Sequence, residues 1–297
     1  MDIGVVFPLE VGHDQAVIRE IAQGAEGLGF DHIMLEEHVL GADPTTGSYR
    51  EDGWHWGPAG RPGVTKDAAI HEPFVLLGLL AAFTTRIGLG TAVLILPQRQ
   101  TAIVAKQATE VDLLSGGRLR LGVGAGWNPV EFEGLGMDFD SRGQREEEQI
   151  DLLRQLWAHE TLDFKGQWHR IDHAGINPRP GRQIPIWLGG AREVALKRAA
   201  RIADGYMPLG VAADDAGKAL IERLRGLVRA AGRDAKSFGI EAFELTRGRT
   251  PDDWSRNYET WQSLGVSHLT LRIGNPEFES PRRYIDVMQA YRKAIGK

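Results

Sequence analysis

IGLGTAVLILPQRQTAIVAKQATEVDLLSGGRLRLGV, Ile87 to Val123, holds the fold in miniature. Its opening run, Ile87 to Leu96, is short and almost wholly apolar, as a strand buried on both faces requires. Thr101 to Leu114 then carries the spacing of a helix, and Ser115-Gly116-Gly117 stops it. Leu119 to Val123 is a second short apolar run. Two such strands joined through a helix make a parallel unit.

The same rhythm extends in both directions. Strands are predicted at Ile3–Phe7, His32–Leu35, Ile184–Leu188, Tyr206–Pro208, Phe238–Phe243 and Ser267–Leu271, in addition to the two above. Helices are predicted at Asp14–Leu28, from Glu72-Pro73 onward, at Thr101–Leu114, Gln144–Ala158, from Ala191 to Asp204-Gly205, and at Asp214–Ala231, Pro251–Leu264 and Pro281–Ile295. Eight strand–helix units predict an α/β chain folded as a single (β/α)8 TIM barrel over residues 1–297, with an open doubly wound sheet as the competing architecture. Two insertions break the rhythm. One follows the second strand, Gly41 to Ile70, and is rich in Gly, Pro and Trp. The other follows the fourth helix, residues 159–183, with a small hairpin at Phe164–Trp168.

The chain's 297 residues suit one barrel of about 250 residues plus insertions. A formal charge of -5 offers no basic field for nucleic acid. The absence of cysteine removes disulfides, thiolate metal sites and cysteine nucleophiles, and fits a reducing, cytoplasmic setting. Met1 to Pro8 reads as a first strand and not a signal peptide, and no run approaches the ~18 apolar residues of a membrane span. No metal centre is expected: His71-Glu72 lacks a second histidine at metalloprotease spacing, and His169 and His173 lie in a segment broken by Gly175, Pro178 and Pro180. Phe74 to Phe83 is apolar nearly all round, although an outer barrel helix buries one face. Either the first insertion covers its second face or a second subunit does. The preferred expectation is a homodimer or higher homo-oligomer.

Active sites of such barrels lie at the C-terminal strand ends. The second strand ends in Glu36-Glu37-His38, where an imidazole beside a carboxylate can exchange protons near neutrality; a solvated charged loop is the alternative. In the third strand Gly90-Thr91-Ala92 is small enough for a flat ring to approach, or for tight core packing. The fourth ends in Gly122-Val123-Gly124-Ala125-Gly126-Trp127-Asn128, which lacks dinucleotide-fold spacing and shows no obvious helix start after it; its glycines either clear room for a ligand or serve a turn. The fifth ends in Gly189-Gly190-Ala191-Arg192 directly before a helix, a seat for phosphate to which Arg179 and Arg182 add charge.

Taken together, Ala105-Lys106-Gln107, Val111 to Leu119, Leu121 to Trp127, Glu131 to Gly136, Arg142-Gly143, Leu156-Trp157, Pro185 to Gly190 and Ala203 to Tyr206 resemble the luciferase-like oxidoreductases. The pattern is most similar to the branch classed as dependent on deazaflavin coenzyme F420. The resemblance implies hydride transfer between F420 and a small organic substrate, with FMN-dependent monooxygenation as the alternative. It implies that Thr91, Ala92 and Val93 back the cofactor ring, that Gly124, Gly126, Trp127 and Asn128 line its chain, and that Gly189, Gly190 and Ala191 hold its phosphate. His38 is implied as acid or base, helped by Glu37 and more weakly by Glu10. A non-proline cis peptide is implied in the third strand, at Ala92-Val93 first and Thr91-Ala92 second. Glu37 stands where the family usually has aspartate, and Arg99-Gln100-Thr101 where it often has Arg-Asn-Pro.

Overall fold

The computed structural model describes residues 1–8, 11–41, 64–274 and 280–297. Strands β1 (Asp2–Val6), β2 (His32–Leu35), β3 (Gly88–Thr91), β4 (Leu94–Ile95) and β5 (Leu119–Gly124) alternate with helices α1 (Gln15–Gly27), α2 (Pro73–Phe83) and α3 (Thr101–Leu114). Then come α4 (Pro129–Gly134), α5 (Arg142–Ala158), the strands β6 (Leu162–Lys165) and β7 (Arg170–Ala174), and β8 (Ile186–Gly190) with α6 (Glu193–Ile202). The chain finishes with β9 (Gly205–Pro208), α7 (Asp215–Ala230), β10 (Gly239–Leu245), α8 (Pro251–Ser263), β11 (His268–Arg272) and α9 (Pro281–Ala294).

All barrel pairings are parallel, in the order β3-β2-β1-β11-β10-β9-β8-β5-β4, and a β3–β5 pairing closes the ring. β3 and β4 are one barrel strand interrupted at Thr91–Val93, so eight strands form the closed barrel and the open-sheet alternative falls. β6 and β7 make a separate antiparallel hairpin within the second insertion. Its first strand takes in Phe164 and Lys165 of the predicted hairpin, with 166–169 forming the connection.

Side-chain alternation divides the barrel into two cores. Ile3, Ile33, Leu89, Leu121, Leu188, Ile240 and Leu269 face the helices in the main apolar core. Met34, Ala92, Trp187 and Met207 form a smaller core inside the barrel. Large inward side chains fit because glycine stands opposite them: a Cβ at Gly239 would lie 2.1 Å from the Trp187 ring, and one at Gly4 2.0 Å from His32. The floor is ionic. Glu241 meets Arg120 at 2.7 Å and His32 at 2.9 Å, and Arg120 lies over the Trp187 ring. Burial alone would raise the Glu241 carboxyl, but Arg120, His32 and the Thr270 hydroxyl outweigh it and hold it far below the usual carboxylate range.

Three local expectations need correction. Ile87 to Leu96 is not one strand: it breaks after Thr91, carries a cis peptide at Ala92-Val93, and ends in a short 3-10 turn from Leu96. The fifth barrel strand runs two residues later than predicted, because Pro185 lacks the N–H that an interior ladder position needs. A helix, α4, does follow the glycine run. Asn128 caps it by accepting from the Val130 N–H, and Pro129 fills its first turn.

Candidate active site at the barrel mouth

β2 delivers Glu36, Glu37 and His38 to the C-terminal rim, and their side chains then diverge. Glu36 pairs with Arg272 at the end of β11. Glu37 turns under the rim and is buried; Oε2 accepts the Ile95 N–H at 2.5 Å, and Oε1 accepts from Arg99 Nε at 2.5 Å. Arg99 continues to Glu72 at 2.7 Å. Burial raises the Glu37 carboxyl, and Arg99 with the Ile95 N–H only partly offsets it.

His38 turns the other way. Its Nδ1 lies 2.8 Å from Oε2 of Glu131 in α4, and its ring meets Trp127 edge-on with centroids 5.4 Å apart. Glu131 is fully buried, and its Oε1 also accepts the N–H groups of Val39 at 2.6 Å and Leu40 at 3.3 Å. The expectation that Glu37 assists His38 is therefore corrected. Successive side chains leave an extended segment on opposite sides, so neighbours 37 and 38 cannot easily serve one another. Glu131 does so instead. A signal for it was present: Glu131 stands three residues after the cap Asn128, the position from which a capping-box glutamate reaches back to the cap. Here it reaches across to the β2 loop. Glu10 lies outside the described residues.

At the third strand, Thr91 is buried and donates its hydroxyl to the Gly122 carbonyl at 2.6 Å, so its side chain stays within the wall. Ala92 and Val93 turn inward. A Cβ at Gly124 would lie 2.7 Å, and one at Gly189 2.5 Å, from the Val93 methyls. These two glycines make room for Val93. Gly126 takes φ +76°, a left-handed turn that leads the chain to Trp127. Asn128 is buried and committed to the cap and to the Leu40 carbonyl at 3.2 Å, so it supports the rim from behind.

Gly190 ends β8, and its carbonyl accepts the Tyr206 hydroxyl at 2.6 Å. Ala191 and Arg192 are exposed at the start of α6, whose first turn has no side-chain cap bond, and the first turn of α5 also lacks one. Two helix starts thus leave backbone N–H groups for an anion. Arg179 and Arg182 are not there. Arg179 donates to the Ala158 carbonyl, and Arg182 binds Asp112 and the Leu119 carbonyl at the opposite end of β5. The cation that sequence reasoning missed is Arg142. It donates to the Gly126 carbonyl at 3.3 Å and lies over the Phe139 ring. Burial first, then repulsion from Arg192 and Arg198, lowers its pKa below the ordinary guanidinium value.

Among the described residues no group of three or more histidines and carboxylates could hold a metal ion, and no helix is long and apolar enough to cross a membrane. The chain is 31% identical over 221 residues to an F420-dependent glucose-6-phosphate dehydrogenase of Nakamurella multipartita, covering 73% of this chain and 59% of that protein. It is also 31% identical over 232 residues to an FMNH(2)-dependent dimethylsulfone monooxygenase of Pseudomonas fluorescens, covering 77% of this chain and 57% of that protein. Among solved structures, an F420-dependent secondary alcohol dehydrogenase in complex with an F420-acetone adduct superposes with TM-score 0.77 at 18% identity, over 99% of this chain and 98% of that one. The luciferase-like monooxygenase model matches residues 1–291, and the chain belongs to that family.

Proposed function

We propose that the chain is an oxidoreductase that moves a hydride between coenzyme F420 and a small organic substrate at the barrel mouth. The observation that carries this reading is His38, just beyond the end of β2, its ring held by the buried Glu131 carboxylate. Hydride removal from a carbon bearing a hydroxyl requires the O–H proton to leave as the C=O bond forms. An imidazole at the rim takes that proton, and returns it in the reverse direction. Val93 supplies an apolar back wall. Arg142, Arg192 and the first turn of α6 suit the phosphate of a cofactor chain, which fits the anion-favouring end of the mouth. When bound, F420 supplies a hydride donor and acceptor that does not readily activate oxygen.

The test is titration of the purified protein with F420 and with FMN. Tighter binding of F420 supports the reading; equal or tighter binding of FMN, or a protein that purifies yellow with FMN, overturns it. The second reading, an FMN-dependent monooxygenase, is favoured by the equal identity to the dimethylsulfone enzyme. Its signature is an organic product that carries an oxygen atom from O2, formed only with enzyme and reduced FMN.

A further inference from the structure

We infer that Glu131 is a positioning residue that presets the His38 imidazole, fixing the proton on Nδ1 and leaving the Nε2 lone pair toward the mouth. The catalytic half of this inference rests on the function proposed above; the structural half does not. Glu131 is fully buried, and one of its oxygens already accepts two backbone N–H groups from the residues directly after His38. Its other oxygen faces His38 Nδ1 at 2.8 Å. Glu131 already acts as an acceptor through Oε1; acting as one through Oε2 as well, it takes its hydrogen bond from Nδ1–H. A neutral imidazole with its proton on Nδ1 accepts at Nε2. Among the described residues Nε2 has no hydrogen-bond partner, and the His38 side chain is 14% exposed. The ring edge away from the buried carboxylate is therefore the one available to a substrate.

The same carboxylate fixes where the ring stands. Val39 and Leu40 are bound through their N–H groups, and the Leu40 carbonyl accepts from Asn128. The segment leaving β2 is thus tied at three successive residues to the first turn of α4. Trp127 closes on the ring from the side. One buried side chain on a six-residue helix sets position and tautomer together.

Glu131→Gln is the informative change because its geometry is forced. The two backbone N–H groups demand an acceptor, so the amide oxygen must face them and the NH2 group must face Nδ1. Nδ1 then becomes the acceptor, and the imidazole proton moves to Nε2. Long-range proton–nitrogen correlation spectra of 15N-histidine-labelled protein read this directly at mildly alkaline pH, where an ordinary imidazole is neutral. His38→Asn identifies the resonance by its loss. The expected result is a protonated Nδ1 in the wild type and a protonated Nε2 in Glu131→Gln. A wild type protonated on Nε2 overturns the inference, and that spectrum suffices even if the variant fails to fold.

Turnover tests the second half. Glu131→Gln is expected to lose roughly 10²–10⁴-fold in kcat, as for loss of a positioned acid or base, with cofactor affinity unchanged. Glu131→Asp, which keeps the charge, is expected to recover part of the rate. Wild-type turnover in a Glu131→Gln protein whose tautomer has reversed overturns the positioning role. Wild-type turnover in His38→Asn, with the spectra as expected, refutes His38 as the acid or base and leaves the preset tautomer standing.

Discussion

At the scale of single residues, proton chemistry and charge burial have separate sites. If His38 is the acid or base proposed above, His38→Ala is expected to lower turnover by about 10²–10⁴-fold while cofactor affinity changes little. A near-normal rate would make His38 structural. Glu146 in α5 is a different case. Burial pushes its carboxyl up to about 7, with Arg198 at 3.1 Å compensating only in part and Glu147 adding repulsion. Its folded value lies above the unfolded value of 4.5, so the folded state holds more protons between those two values. The associated stability is complete below the lower value and is lost as pH rises through the upper one. Glu146→Gln cannot titrate, so it should gain on the wild type between about pH 5 and about pH 8, by at most about 3 kcal/mol. Parallel denaturation curves at both pH values would show that Glu146 is ionised throughout. His38 was legible in the sequence because a strand end predicts a rim. The cap spacing Asn128–Glu131 marked Glu131 as a helix-start carboxylate, but not as the partner of His38, since it lies 93 positions away and only tertiary packing joins them.

At the scale of elements, the most informative is the interrupted strand β3–β4 with the two strands beside it. The sequence reads Gly90-Thr91-Ala92 and the later glycines as small, but smallness alone does not say what fills the space. The structure places Val93 between Gly124 and Gly189. Gly189→Ala therefore overpacks the mouth, and a cost of about 1–3 kcal/mol is expected. Adding Val93→Ala should recover most of it, since the clash is with the Val93 methyls. Additive unfolding free energies in the double variant would disprove this packing. The same geometry governs the phosphate end. A side chain at Gly190 would meet the Ala195 Cβ at 2.8 Å, so Gly190→Asp mixes overpacking with charge. Arg192→Glu is the cleaner change, because position 192 is exposed, and it should weaken F420 binding. Unchanged affinity would place the phosphate elsewhere. The slip of the fifth strand has an equally local origin. Ile184 and Ile186 both look like strand residues, and Pro185 between them decides where pairing begins.

At the scale of the whole molecule, the barrel was legible because most barrel strands are short apolar runs and many helices begin at a capping side chain or end at a glycine turn, and these signals survive without an alignment. The assembly is the expectation still to be measured. In the sequence α2 is apolar on all sides, which demanded a second partner. In the structure α1, α3 and β3 take most of that surface. What remains is specific: Val75 in the first turn of α2 is 74% exposed, and on the adjacent α3 Ile103 is 53% and Leu114 69% exposed. Single exposed aliphatic residues are ordinary; Val75 and Ile103, both in the first turns of two packed neighbouring helices, are the ones a partner would cover. A second copy of the chain is the partner that needs no further chemistry, since a two-fold axis lets the same patch cover itself. We therefore predict a homodimer at micromolar concentration through the outer faces of α2 and α3. Val75→Glu with Ile103→Glu should yield monomers by sedimentation and leave each barrel folded, because neither side chain contributes to the interior core. A wild-type protein that sediments as a monomer refutes the prediction. A double variant that stays dimeric moves the interface off these helices. Val75 and Ile103 are exposed and outside the interior core, so a monomeric variant is expected to bind cofactor with wild-type affinity. A loss of cofactor affinity on dissociation would instead mean that the partner subunit shapes the mouth, and the site would then belong to the pair.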